Sequence, residues 1–95
     1  MSKWKMKSIK HSGSRGERGT ERQEPFYLAR NRCEVEFELE DVIPGQRAVL
    51  YYAPRKMYDG NGILVSTVID KELHLDGTLT IETKNSIYEM ECMSY

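Results

Sequence analysis

The sequence predicts an all-β protein: a small antiparallel barrel or rolled sheet of about six strands, with a long glycine- and arginine-rich loop after the first strand. Three observations carry that expectation. Apolar and polar residues alternate in residues 3–8 and 33–40, the period of a half-buried strand. β-Branched and aromatic residues gather in residues 47–52, 63–69 and 79–88. Turn formers separate these segments at intervals of about eight to twelve residues.

Residues 3–8 (KWKMKS) place Trp4 and Met6 on one side and Lys3, Lys5 and Lys7 on the other, which makes the first strand. From residue 11 to 25 there is no large apolar side chain, and Gly13, Gly16 and Gly19 sit among six charges of alternating sign. Such a stretch has little apolar surface to bury, so residues 11–25 read as a flexible loop or arm within one β domain spanning 1–95.

In residues 33–40 (CEVEFELE) the side chains Cys33, Val35, Phe37 and Leu39 face one way and Glu34, Glu36, Glu38 and Glu40 the other. Successive glutamates on one strand face lie about 6.6 Å apart, too far for several of them to grip one small ion. They form a stripe, not a cage. The lysines of the first strand repeat with the same period and the opposite sign, so these two strands are expected to pair Lys beside Glu. No metal is expected there.

Pro44-Gly45 supplies a turn, and residues 47–52 a further strand. Residues 53–62 make a connection rich in turn formers. Residues 63–69 (ILVSTVI) read as one central strand crossing the core. A three-residue turn at residues 76–78 is expected to set Leu75 opposite Leu79 and Leu73 opposite Ile81. A turn at residues 83–86 sets Ile81 beside Tyr88 and Leu79 beside Met90. The expected core is Val35, Phe37, Leu39, Val65, Leu79, Ile81 and Met90.

The chain has 95 residues, 39% of them hydrophobic, which suits one core. No stretch approaches the roughly 20 apolar residues of a membrane-spanning helix, and the first residues lack a signal peptide's apolar segment, so a cytoplasmic location without membrane contact is expected. Two cysteines, Cys33 and Cys92, have neither the density of a disulfide scaffold nor the spacing of a zinc site. The net charge of −1 divides unevenly. Residues 1–32 carry nine Lys/Arg against three Asp/Glu (+6), and residues 33–95 five against twelve (−7). A basic arm can seek nucleic acid or fold back onto its own acidic body.

Motifs for catalysis are sparse. Asp59-Gly-Asn61-Gly62 resembles the start of a calcium loop but lacks its further oxygen ligands and terminal glutamate. His11, in the flexible arm, and His74, beside a turn, have no convincing Ser or Cys partner near them in sequence, so neither an enzyme nor a cofactor is expected. Two surfaces suit binding. In the arm, Arg15 and Arg18 lie among glycines whose exposed amides suit phosphate. In residues 50–58, Tyr51, Arg55, Lys56 and Tyr58 combine stacking surface with positive charge. The polar turn residues Ser66, Thr67, Asn85 and Ser86 complete the candidate site.

Residues 65–68 (VSTV), 77–83 (GTLTIET) and 85–88 (NSIY), with the early 13–16 (GSRG), resemble small accessory proteins of unknown function carried by phages and mobile elements of Gram-positive bacteria. The resemblance covers about the last third of the chain and the short early piece. It implies a non-enzymatic accessory product in the host cytoplasm that counters host defence by sequestering a signalling nucleotide or blocking a host protein. The expected partner is therefore a nucleotide-like ligand or a host protein, with room for a homo-oligomer. A nucleic-acid-binding accessory protein using the +6 arm is the alternative, disfavoured because the −7 body repels a phosphate backbone.

Overall fold

The computed structural model describes residues 2–53 and 61–93. Strand β1 (Ser2–His11) is the axis of the architecture. Its alternation buries Trp4 and Met6. Lys7 then stands as an extra residue between the Met6–Met90 and Ser8–Glu89 pairs, and this bulge shifts the alternation so that Ile9, opposite Tyr88, returns to the core. After β1 come a short helix α1 (Pro25–Arg30), β2 (Glu34–Phe37), a single 3₁₀ turn (Leu39–Asp41), β3 (Val49–Tyr52), β4 (Gly62–Leu64), β5 (Val68–Leu73), β6 (Thr78–Thr83) and β7 (Ser86–Cys92).

These strands form one antiparallel sheet in the order β4-β3-β2-β1-β7-β6-β5. Two meanders thus flank β1, one on each side. The sheet does not close into a barrel, because its two edges, β4 and β5, do not pair. It must nevertheless curl. Laid flat, seven strands at about 4.8 Å spacing would part the edges by about 29 Å, whereas Leu64 and Val68 are four residues apart and at most about 15 Å. Residues 45–48 lace the seam, with Val65 N donating to Ala48 O (3.0 Å), Gly45 N to Val68 O (2.8 Å) and Val68 N to Gln46 O (2.9 Å).

The expected pairing of the lysine and glutamate strands is present: Lys3 stands opposite Glu36 and Lys5 opposite Glu34, with Lys3 Nζ 3.3 Å from Glu34 Oε1 on the diagonal. The second strand is shorter than its alternation suggests. It ends at Phe37, and Glu40 enters the 3₁₀ turn, so Leu39 packs half-buried against the core and is not a full member of it. The other six expected core residues are buried. They join Trp4, Met6, Ile9, Val42, Ala48, Leu50, Ile63, Val68 and Tyr88 in one cluster, where Trp4 stacks on Phe37 at 5.9 Å.

Three further expectations are corrected. The described residues form seven strands, not about six, and residues 63–69 are not one central strand: they supply β4 at one sheet edge and the start of β5 at the other. The break falls at Ser66, whose hydroxyl is engaged by the neighbouring turn instead of a ladder. The hairpin register is displaced by two residues, with Leu73 opposite Leu79. Its loop is Leu75, Asp76 and Gly77: Gly77 N donates to His74 O (3.1 Å), Gly77 takes φ 88°, and the Asp76 carboxylate accepts from Thr78 N (3.0 Å) and Oγ1 (2.7 Å). Leu75 is consequently exposed. Finally, α1 occupies a stretch given no element from sequence; Pro25 starts it, with φ already suited to a first helical turn. The Thr83–Ser86 turn and the Leu79–Met90 and Ile81–Tyr88 pairs are as expected.

Candidate functional site

The site is built where the arm returns to the sheet. His11 N donates to Thr20 O (2.8 Å), Gly19 N to His11 O (2.9 Å) and Arg22 N to Ile9 O (2.9 Å), so the returning chain runs beside the upper half of β1. Lys10 bridges Glu21, which leaves the next residue, Arg22, on the core side beside Ile9. There Arg22 is 6% exposed. Its Nη1 donates to Asn85 O (3.0 Å) and Ser86 Oγ (2.8 Å), its Nη2 donates to the Glu24 carboxylate, and its guanidinium lies 4.1 Å over the Tyr27 ring. Burial is the largest single influence on Arg22 and disfavours its charge, but the Glu24 contact together with Tyr27 and Tyr88 outweighs it and its pKa lies above the ordinary value. The same hydrogen bond holds Glu24 below the usual carboxylate range. Tyr88, beneath this network, is pushed up to about 12 by burial.

A second polar cluster holds the β6–β7 turn against the crossover between the sheet edges. Ser66 Oγ donates to Thr83 Oγ1 (2.9 Å) and accepts from Asn85 N (3.1 Å), Lys84 N donates to Thr67 O (2.9 Å), and Thr83 Oγ1 donates to Ser86 O (2.9 Å). The arm adds Ser12 Oγ to Lys84 O (2.7 Å), Ser14 Oγ to Asn85 Oδ1 (2.9 Å) and a two-bond fork from Arg18 to Glu82 (2.8 and 2.9 Å). That fork, its hydrogen bonds first, holds Glu82 below the usual carboxylate range.

Between α1, the crossover and this turn opens a groove of about 390 Å³ at the mouth of the rolled sheet. Helix α1 contributes Phe26 and Tyr27, whose rings meet edge to face at 5.0 Å, and Arg30 covers Phe26 at 3.6 Å while donating to Tyr52 Oη (2.6 Å). The opposite wall is Leu64, Ser66 and Arg47, with Asn85 and Tyr88 between, and Glu24, its carboxylate held by Arg22, completes the lining beside α1. Arg47 is fixed through Nε to Val65 O (3.0 Å). Among the described residues its two Nη groups have no partner, which leaves a guanidinium fork open to solvent beside exposed Phe26 and Leu64.

The chain matches no family model, no curated protein and no solved structure.

The residues expected from sequence to form the site divide. Ser66 and Asn85 line the groove, and Thr67 and Ser86 lie directly behind it in the same hydrogen-bonded cluster. Arg18 is committed to Glu82, and Arg15 is exposed at the tip of the arm, outside the groove lining. Tyr51 lines a neighbouring hollow of about 260 Å³ that shares Arg47. Arg55, Lys56 and Tyr58 lie outside the described residues. Arg47, Phe26 and Tyr27 were not foreseen. A proline followed by six residues without a breaker signalled the helix that carries the aromatic pair, while nothing in the sequence set Arg47 apart from an ordinary strand start. Among the described residues no group of three or more His, Cys, Asp or Glu is placed to hold a metal ion.

Proposed function

We propose that this protein is a non-enzymatic binding module whose mouth groove captures a nucleotide-like ligand. The observation that carries the proposal is the open Arg47 fork set beside exposed Phe26 and Leu64 and the hydrogen-bonding side chains of Ser66 and Asn85. A guanidinium fork suits a phosphate, an aromatic edge and an aliphatic side chain suit a base, and Ser and Asn fix orientation. Groove volume supports the scale, since small-molecule sites run from about 300 Å³ upward. Of the two histidines, His11 stands 3.9 Å behind the groove-lining Glu24 and is not itself in the lining, and His74, bonded to Thr80, is outside it as well. The accessory role implied by the resemblance to phage and mobile-element proteins gives such capture a purpose: withdrawing a signalling nucleotide in a host cytoplasm.

Against the nucleic-acid alternative, two cations of the basic segment, Arg18 and Arg22, are engaged by Glu82 and by the turn at Asn85 and Ser86. Calorimetric titration with mono-, di- and cyclic nucleotides tests the proposal. Binding is expected to weaken about tenfold, or about 1.4 kcal/mol, in Arg47→Ala, and to weaken with added salt. Nucleotide affinity equal in Arg47→Ala, Phe26→Ala and the parent would remove the groove from consideration.

A further inference from the structure

A second concavity, of about 160 Å³, opens on the outer face of the sheet and is lined by Lys5, Met6, Lys7, Arg32 and Glu91. Two backbone irregularities aim cations at it. Lys7 is the bulge residue of β1, out of the alternation that governs the rest of the strand. Arg32, at the end of the α1–β2 connection, takes φ 69°, and it alone among the described non-glycine residues lies in the left-handed region. Bulges and strained backbone cluster where a side chain must be re-aimed for contact with something else.

The charges here are also handled differently from their neighbours. Lys3 is paired with Glu34 at 3.3 Å and Lys10 with Glu89 at 3.0 Å. Lys5 stands between Glu34 and Glu91 in the two ladders, yet among the described residues neither its ammonium, nor that of Lys7, nor the Arg32 guanidinium has an ion-pair or hydrogen-bond partner. The Asp76 carboxylate, on the β5–β6 hairpin loop, is occupied by Thr78. Three cations against the Glu91 carboxylate leave a formal +2 around the hollow. A phosphate monoester carries about −1.5 to −2 at neutral pH, whereas a carboxylate carries only −1. The volume equals about five waters at about 30 Å³ each, the size of one phosphate group and too small for a nucleotide.

We propose that Lys5, Lys7 and Arg32 form a site for a phosphate dianion, either free phosphate or the phosphoryl end of a small monoester, separate from the mouth groove. The test is amide NMR titration of the full chain with inorganic phosphate and, in parallel, with glycerol phosphate, in about 0.1 M sodium chloride to screen diffuse attraction. Saturable shifts are expected at Lys5, Lys7 and Arg32 with both probes if the phosphoryl group is what is read, tighter with glycerol phosphate if its ester arm is also held.

Arg32→Gly is the decisive variant. Glycine adopts this φ without cost, so the variant folds at least as well as the parent, and phosphate binding should weaken at least about fivefold through loss of the guanidinium fork. Lys7→Ala should weaken it similarly, and Arg15→Ala, at the exposed tip of the arm, should leave it unchanged. Absence of saturation up to about 20 mM phosphate, an affinity of about −2.3 kcal/mol, would overturn the proposal. So would full affinity in Arg32→Gly, or shifts confined to the groove around Arg47 and Ser66.

Discussion

Replacing Arg22 by alanine isolates the joint between arm, turn and groove. In the folded chain Arg22 makes two charge-assisted hydrogen bonds to the β6–β7 turn, a part-buried one to Asn85 O and a buried one to Ser86 Oγ, besides its contact with the half-exposed Glu24, and stacks over Tyr27. At about 1.5–3 kcal/mol per bond the gross loss is about 3–6 kcal/mol. Arg22 Nε is buried without a partner, which offsets about 1–3 kcal/mol of that. The lost stacking over Tyr27 adds about 1 kcal/mol. The expected net destabilisation is about 3 kcal/mol, a large share of the roughly 5–14 kcal/mol available to a chain of this size. Urea unfolding followed by the fluorescence of Trp4 reads it, because this single tryptophan is 4% exposed and its surroundings change only when the core opens. With a slope of about 1.5 kcal/mol/M the midpoint should fall by about 2 M. A shift under about 0.5 M would refute the reasoning, since it would mean that the arm is held by something other than this guanidinium.

Phe37→Ala, removing a ring that is 2% exposed and stacked on Trp4, should cost about 3–5 kcal/mol in the same assay; an unchanged midpoint would contradict the facing of β2. Tyr88 has a folded pKa raised by burial to about 12. Its contribution is therefore complete below the unfolded value near 10 and is lost as pH rises through 12, about 2–3 kcal/mol in all. Stability measured between pH 9 and about 12 should fall less steeply in Tyr88→Phe than in the parent. Glu82 is shifted the other way, its folded pKa depressed by the Arg18 fork, so its contribution is present above the unfolded value near 4.3 and is lost as pH falls through the lower folded value. Arg18→Ala should shift the urea midpoint less than Arg22→Ala does, and the shift should vanish in about 1 M salt.

Much of the sheet was legible because period-two alternation fixes which face is buried. Trp4, Met6, Val35 and Phe37 face the core, and Lys3 and Lys5 meet Glu36 and Glu34, as the two alternations require. The β6–β7 register was readable from the Thr83–Ser86 turn. Alternation does not say where a strand stops. At Ser66 it continues smoothly across a crossover from one sheet edge to the other, and the break is made by hydrogen bonds to Thr83 and Asn85 that are distant in sequence. The hairpin loop moved by one residue, and its register by two, because Asp76 caps Thr78 and Gly77 takes the left-handed position, a choice between two registers that keep the same face. Of the candidate site, Ser66, Thr67, Asn85 and Ser86 were recognised as one polar group. Arg47 was not, since the groove it joins is assembled by the fold from segments distant in sequence.

Mass spectrometry of the intact protein under native conditions, after purification without denaturant, tests the central claim most directly. The account predicts a population heavier than the 11.1 kDa chain by one phosphorus-containing small molecule, present in the parent and in the control Arg15→Ala and lost in Arg47→Ala. A small-molecule adduct that persists in Arg47→Ala, or a chain that emerges bound to another protein in place of a nucleotide, would contradict it.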